Sequence, residues 1–337
     1  MSGVDRDAEC AAAVRKAAGI FRLSGRGLVA VDGGDRVRWL DGMLSNDVVR
    51  LRNDGDGAGC YATTLTAKGR IVADVHVLVR GECFWLETAA AAVGGLLAHF
   101  ERHLIADDVQ LRDIGSSVDR LAVEGPLAGQ LLERAAGAAL DCALDACKVI
   151  RIGETEVVAA RYGWSGEPGF QLLAPAGSGA AIAAELEATG SELGSISAGE
   201  NTLEILRIEA GIPRFGAEID DTVLPAEVRL GRAVAQSKGC YVGQEVVARM
   251  EAAGRVSHLL VGLALGEGAI PQPGSKITLD GKRVGEVTSS CRSALAGSIA
   301  LGFVRAAHSA SGTELWVADQ AARVAELPFA GSGVFAA

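Results

Sequence analysis

Apolar and polar residues alternate through residues 70–80, with Ile71, Ala73, Val75, Val77 and Val79 on one set and Arg70, Val72, Asp74, His76, Leu78 and Arg80 on the other. A period of two predicts a strand with two distinct faces, and it sets Asp74 and His76 side by side on one of them. Strand-like runs at 59–66 and 83–88 flank this one. The segment before them, DRVRWLDGML (35–44), spaces Val37, Leu40, Met43 and Leu44 as a helix does. GLLAHFERHLI after them sets Leu96, Leu97, Phe100 and Leu104 on one helical face, and DVQLRDI reads as a closing strand. A helix, strands, a helix and a strand in this order predict an α+β unit with an antiparallel sheet.

Further along, RLAVEGPLAGQLLERAA reads as a strand, a Gly125-Pro126 break and a helix with Pro126 near its first position. EVVAARYGWSGEPGFQLLAP has two strand-like halves around a glycine turn, and AAIAAELEATG is a helix ending at Gly190. In SAGENTLEILRIEAGIP, Ser197 and Glu200 have the spacing of a capping box, Gly211 supplies a stop, and Pro213 forbids continuation. Beyond about residue 250 the pattern is all-β, with an Asp280-Gly281 hairpin turn between two runs.

The 337 residues exceed one typical domain, and 49% hydrophobic with 22% charged residues suits a chain that buries a sizeable core. A formal charge of −10 excludes broad binding to nucleic acid or anionic membrane, which needs basic stripes, but leaves a small anionic ligand open. Seven cysteines without a C-x-x-C suit a reduced compartment. No secretory h-region and no membrane-length apolar run is present, so the expected location is the cytoplasm.

The common catalytic motifs are missing: no P-loop, no G-x-S-x-G, no H-E-x-x-H. GRGLVA offers G-x-G-x-x-A, but ahead of a strand rather than after one. His99 and His103 are four apart on a helix without a third ligand, which reads as a helix face and not a metal site. Asp74 beside His76 can serve acid–base work or simply form a half-solvated strand face. Gly166 and Gly169 bracket Glu167 on a tight turn, where a carboxylate can accept two parallel hydrogen bonds from a heterocycle or stand exposed. Arg207, late in its helix, suits the helix dipole as well as a ligand carboxylate. The most punctuated polar stretch is SKGCYVGQEVVARM, with Cys240 in a loop ahead of a helix. Lys238 and the helix start near Gly243 both favour a thiolate there, while Glu245 opposes it.

The octapeptide Lys238-Gly239-Cys240-Tyr241-Val242-Gly243-Gln244-Glu245 resembles the K-G-C-Y-x-G-Q-E motif of the YgfZ family, folate-binding proteins of iron–sulfur cluster assembly and repair related to the glycine cleavage T-protein. The resemblance extends through LAVEGPLAGQLL, SGEPGFQLL, LRIEAGIPRFGAEID and the C-terminal DGKRVGEVTSS and IALGFV. It implies a three-lobed cloverleaf around a central folate channel. Its first lobe is built from 1–32 and 119–245, a ferredoxin-like lobe from 33–118 is inserted, and a β-barrel follows over 246–337. It implies tetrahydrofolate, or a one-carbon-substituted folate, as cofactor. Glu167 is then the pterin-facing acid, Arg207 a channel residue, Tyr162 and Trp164 further cofactor contacts, and Cys240 the distinguishing thiol. Two departures from T-proteins stand out. Ala73-Asp74 replaces a pair of acids, and Thr88-Ala89-Ala90-Ala91 replaces a folate-holding N-A-A-N. They favour an accessory factor for iron–sulfur client or assembly proteins, holding no cluster itself, over the alternative: a one-carbon transferase of the aminomethyltransferase type assisted by Asp74.

Overall fold

Strand Ile71–Arg80 forms as its alternation requires: Ala73, Val75, Val77 and Val79 enter a core, while Asp74 and His76 turn the other way. The computed structural model describes residues 3–254 and 256–330. Three sheets organise it: a six-stranded sheet, a five-stranded sheet and a closed six-stranded barrel.

The five-stranded sheet runs in the order 59–65, 71–80, 83–89, 26–32 and 110–113, antiparallel throughout. Its last four strands have the ferredoxin-like arrangement, with 59–65 added at one edge. Helices Arg36–Met43, Val48–Asp54 and Ala90–His103 cover one face through Trp39, Leu40, Leu51, Leu96 and Phe100. Each such side chain, once buried, contributes roughly 1.5–3 kcal/mol. The opposite face carries Asp74, His76 and Glu87 beside Leu28 and Leu78. One boundary moves relative to the sequence reading. Strand Arg26–Asp32, assigned there to the first lobe, pairs with 83–89 and 110–113, so the inserted lobe begins at Arg26 rather than at 33. These partners lie some 60 and 80 residues away, and no local pattern announces them.

The first lobe's sheet has the order 196–198, 19–23, 118–124, 169–175, 155–160 and 147–152. Helices Ala128–Ala136 and Gly179–Gly190 pack on it through Leu131, Leu132, Ile182 and Leu186. The first of these helices starts two residues beyond Pro126, at Ala128. Helix Glu200–Ala210 stops at Gly211, whose φ of 71° a glycine adopts without penalty. Its N-terminus differs from the expected capping box. Gly199 is the cap residue, Ser197 Oγ donates to Glu187, and Glu200 accepts from Ser24 N–H at 2.6 Å. Ser197 lies in a strand paired with 19–23, and that pairing holds it away from the helix end.

Helix Glu200–Ala210 is buried on most sides. Leu203, Leu206 and Ile208 pack with Val14 of the N-terminal helix, Phe21 of the first sheet, and Leu260, Ile299 and Leu301 of the barrel. The barrel closes from strands 258–266, 297–305, 282–293, 276–279, 314–317 and 320–325. Its 276–293 hairpin turns at Asp280-Gly281, both with positive φ (49° and 73°), as a two-residue turn of this kind demands.

Candidate functional site

The Asp74 face of the five-stranded sheet, the turn 161–168 and helix Glu200–Ala210 enclose a cavity of about 360 Å³. Arg26, Asp74 and Trp164 form part of its wall, with Glu204 and Arg207 from the helix and Arg214 just beyond it. Exposed Glu200, Asn201 and Arg214 mark its mouth. Asp74 Oδ2 accepts a hydrogen bond from the Tyr61 hydroxyl at 2.9 Å, whereas its Oδ1 is buried and has no partner among the described residues. Arg26 lies over the Trp164 ring at 4.7 Å and holds Glu87 through two bonds of 2.6 Å. Burial alone would lower the Arg26 pKa, but Glu87, with Asp74 behind it, raises it well above the ordinary value. A fixed cation therefore stands beside the Asp74 carboxylate.

Beneath this wall the two lobes meet in a stack. His76 lies between Tyr61 (centroids 4.6 Å apart) and Tyr162 (3.6 Å, interplanar angle 7°). Tyr162 is completely buried and does not reach the cavity; Trp164 meets it edge-on and does. Burial pushes the His76 imidazole below its ordinary pKa, against the pull of Asp145, so at neutral pH it serves as a neutral ring in an aromatic stack. His76 shares a strand face with Asp74 as expected, but Asp74 alone lines the cavity.

Glu167 is placed elsewhere. Its Oε1 accepts from Arg15 Nη1 at 3.1 Å, and Arg15 Nε also holds Glu209 at 2.7 Å, which ties the N-terminal helix to the turn and to helix Glu200–Ala210. Arg207 does line the cavity but is buried, with bonds to Glu204, Glu218, Ser289 and the Ile212 carbonyl. Sequence reasoning singled out neither Arg26, Glu87 nor Tyr61. The neighbouring hairpin strands bring Tyr61 and Glu87 to Asp74, and only the pairing of the distant strand 26–32 brings Arg26.

The Lys238–Glu245 motif clasps the inserted lobe. Lys238 Nζ donates to the Asp41 carbonyl (2.6 Å) and carboxylate (3.1 Å) and to the carbonyls of Leu44 and Asn46 (2.9 Å each). Tyr241 packs with Leu65 and Ile71, and Lys238 Nζ lies 5.3 Å from its ring. Gly243 has φ 86°, and a Cβ there would stand 2.6 Å from the Thr66 carbonyl oxygen, so only glycine lets the chain come this close. Gln244 Oε1 accepts from Tyr241 N–H at 3.4 Å, and Glu245 pairs with Arg249 on the exposed side of helix Gln244–Ala253. Gly239 sits near Asp41, and Cys240 is exposed beside it, outside the cavity. The Lys238 ammonium is engaged by the inserted lobe.

Residues 5–238 match the family described as the GCVT N-terminal domain, and residues 259–330 match the glycine cleavage T-protein C-terminal barrel domain. The chain belongs to the glycine cleavage T-protein family. Similar relatives include the aminomethyltransferases of Rubrobacter xylanophilus (34% identical, covering 94% of this chain and 84% of the relative) and Symbiobacterium thermophilum (32%, 94% and 87%). The crystal structure of glycine cleavage system aminomethyltransferase T from Bartonella henselae superposes with a TM-score of 0.83 at 25% identity, covering 96% of this chain and 89% of that one. The mixed α/β T-protein fold with its closed barrel, expected from the sequence, is therefore the fold of this chain.

Membership of the T-protein family changes the weight of the two sequence departures. Ala73 is completely buried in the core of the inserted lobe, so an acid missing there removes nothing from the cavity. The acid that faces the cavity, Asp74, is present. At 88–91 the departure is real at the wall, where Ala89 and Ala91 offer only methyl groups.

One buried acid controls the turn that carries Trp164. Glu124 accepts from the backbone N–H of Trp164 (3.1 Å) and Ser165 (3.2 Å), from Ser165 Oγ (2.7 Å) and from Gln171 Nε2 (3.1 Å). Burial pushes its pKa up to about 7 despite these donors. A raised carboxyl stabilises the fold fully below the ordinary carboxylate range and loses that contribution as pH climbs towards about 7. Denaturant titrations are expected to show about 3 kcal/mol less stability from this group at pH 8 than at pH 4. Glu124→Gln should flatten that dependence, and an unchanged pH profile in the variant would remove Glu124 as its source.

His99 is buried and His103 Nδ1 lies 2.8 Å from the His99 carbonyl, while burial pushes the His99 imidazole down to about 4. No cluster of three or more metal-ligating side chains occurs among the described residues. Nor is any described helix long and apolar enough to cross a membrane.

Proposed function

We propose that this chain is a tetrahydrofolate-dependent one-carbon transferase of the aminomethyltransferase type, acting in the cavity bounded by Asp74 and Trp164. Members of the family use tetrahydrofolate. The observation that carries the reading is Asp74: one oxygen held by Tyr61, the other buried against the cavity without a partner among the described residues. A buried orphan acceptor is costly unless a ligand or water donor meets it. The volume of about 360 Å³ and the aromatic wall at Trp164 suit a flat heterocycle with a polar tail.

Tetrahydrofolate supplies a nucleophilic amine that accepts a one-carbon unit. The protein's part is electrostatic and positional. Asp74 sets an acidic side chain where positive charge develops on a reacting nitrogen, in a setting where such a charge is poorly screened. Tyr61 fixes which oxygen remains available. Trp164, braced by Arg26, offers a ring face, and Leu203 of helix Glu200–Ala210 keeps part of the wall dry.

A second reading, an accessory role toward iron–sulfur client proteins, is favoured by the exposure of Cys240 at the tip of a clasp that holds it in place. The two readings share the folate cavity and differ in their need for the thiol. Purified protein given tetrahydrofolate and an aminomethylated carrier protein should release ammonia in a folate-dependent way, and Cys240→Ala should retain that rate because the thiol lies outside the cavity. No turnover in wild type, together with loss of cluster-enzyme activity in a deletion strain that Cys240→Ala fails to restore, would establish the second reading instead.

A further inference from the structure

Three arginines line the cavity, and they differ in what they have left to give. A guanidinium carries five N–H donors. Arg207 uses all five: Nε and Nη2 to Glu204 (2.9 and 2.6 Å), Nη1 to the Ile212 carbonyl and Glu218 (2.9 and 3.0 Å), and Nη2 again to Ser289 Oγ (2.7 Å). It therefore anchors the helix and has no donor for a ligand. Arg26 is bound bidentately by Glu87 and stands beside Asp74, whose charge repels any ligand carboxylate at that end. Arg214 is half exposed at the mouth, contacts Glu204 only at 3.3 and 3.4 Å, and its Nη1 makes no hydrogen bond to a described residue. Glu200, the other charge at the mouth, accepts from Ser24 N–H and Oγ through Oε1.

We infer that Arg214 is the specificity residue that seats the terminal carboxylate of the folate, so that the cavity prefers folates carrying glutamate over the same pteridine without it. The inference rests on the folate reading above. Charge sorts the ligand along the cavity: a carboxylate is turned away from the Asp74 end, where Arg26 is already paired with Glu87, and toward Arg214 at the mouth. Glu204 has a double effect, since it saturates Arg207 and holds Arg214 loosely at the rim, where a ligand carboxylate can take the open Nη1 edge.

Calorimetric titration with tetrahydrofolate and with tetrahydropteroate, which lacks the glutamate, tests this directly. Wild type should favour tetrahydrofolate by about tenfold, the size expected of one partly screened charged pair. Arg214→Gln should bring that ratio close to one while leaving tetrahydropteroate affinity unchanged, and Arg214→Lys should restore part of it. An Arg214→Gln ratio equal to that of wild type would overturn the assignment of Arg214 while leaving folate binding standing. Absence of binding by either compound to wild type would overturn the folate reading and this inference together.

Discussion

Asp74→Asn is expected to lower folate-dependent one-carbon transfer by about 10²–10⁴-fold, the range usual for loss of a positioned acid–base or electrostatic group. The substitution is nearly isosteric, and the asparagine oxygen can still accept from the Tyr61 hydroxyl, so the surrounding packing is preserved. What disappears is the negative charge beside the cavity. Because the charge acts chiefly on a nitrogen that becomes positive during reaction, kcat should fall much further than folate affinity. Steady-state kinetics paired with equilibrium binding separate the two. A variant that keeps wild-type kcat would show that Asp74 only shapes the wall.

Glu87→Ala should be the most destabilising single change near the site, costing about 3–5 kcal/mol, the usual loss when one partner of a buried ion pair is removed. Glu87 is almost completely buried, bound twice by Arg26 at 2.6 Å and approached by Arg120 Nη1 at 3.5 Å. Its removal leaves two buried guanidinium groups without their shared anion, and frees Arg26 from its place over Trp164. Burial by itself would raise the Glu87 pKa, but Arg26 and Arg120 hold it below the ordinary value. Its contribution is therefore present above the ordinary carboxylate range and lost as acid carries pH down through the depressed value. Chemical denaturation at neutral pH and at about pH 3 checks both statements. A loss under about 1 kcal/mol at neutral pH would mean that the cluster is solvated rather than buried.

The parts of this molecule that show in its sequence are those decided by neighbours along the chain. Alternation at 71–80 correctly separates the core residues from Asp74, and Asp280-Gly281 marks a hairpin because few residue pairs accept two positive φ values in succession. The Gly211 stop follows from the same physics. Decisions made across the fold are hidden. Strand 26–32 joins the second sheet through partners at 83–89 and 110–113, and that pairing alone delivers Arg26 to Trp164 and Glu87. Ser197 and Glu200 have the spacing of a capping box, yet strand pairing at 196–198 and the Ser24 N–H claim them first. Lys238 reads as a neighbour of Cys240, but its long side chain reaches the carbonyls of residues nearly 200 positions earlier. The cavity's acid and Arg207 were legible; Arg26 was not.

The cavity at Asp74 and Trp164 is the proposed folate site. Titration of tetrahydrofolate into wild-type protein and into Trp164→Ala, followed by isothermal calorimetry, tests it most directly. One saturable site in wild type, weakened about tenfold or more when the ring face is removed, is the expected result; equal affinity in the two proteins, or no saturable binding in wild type, would contradict it.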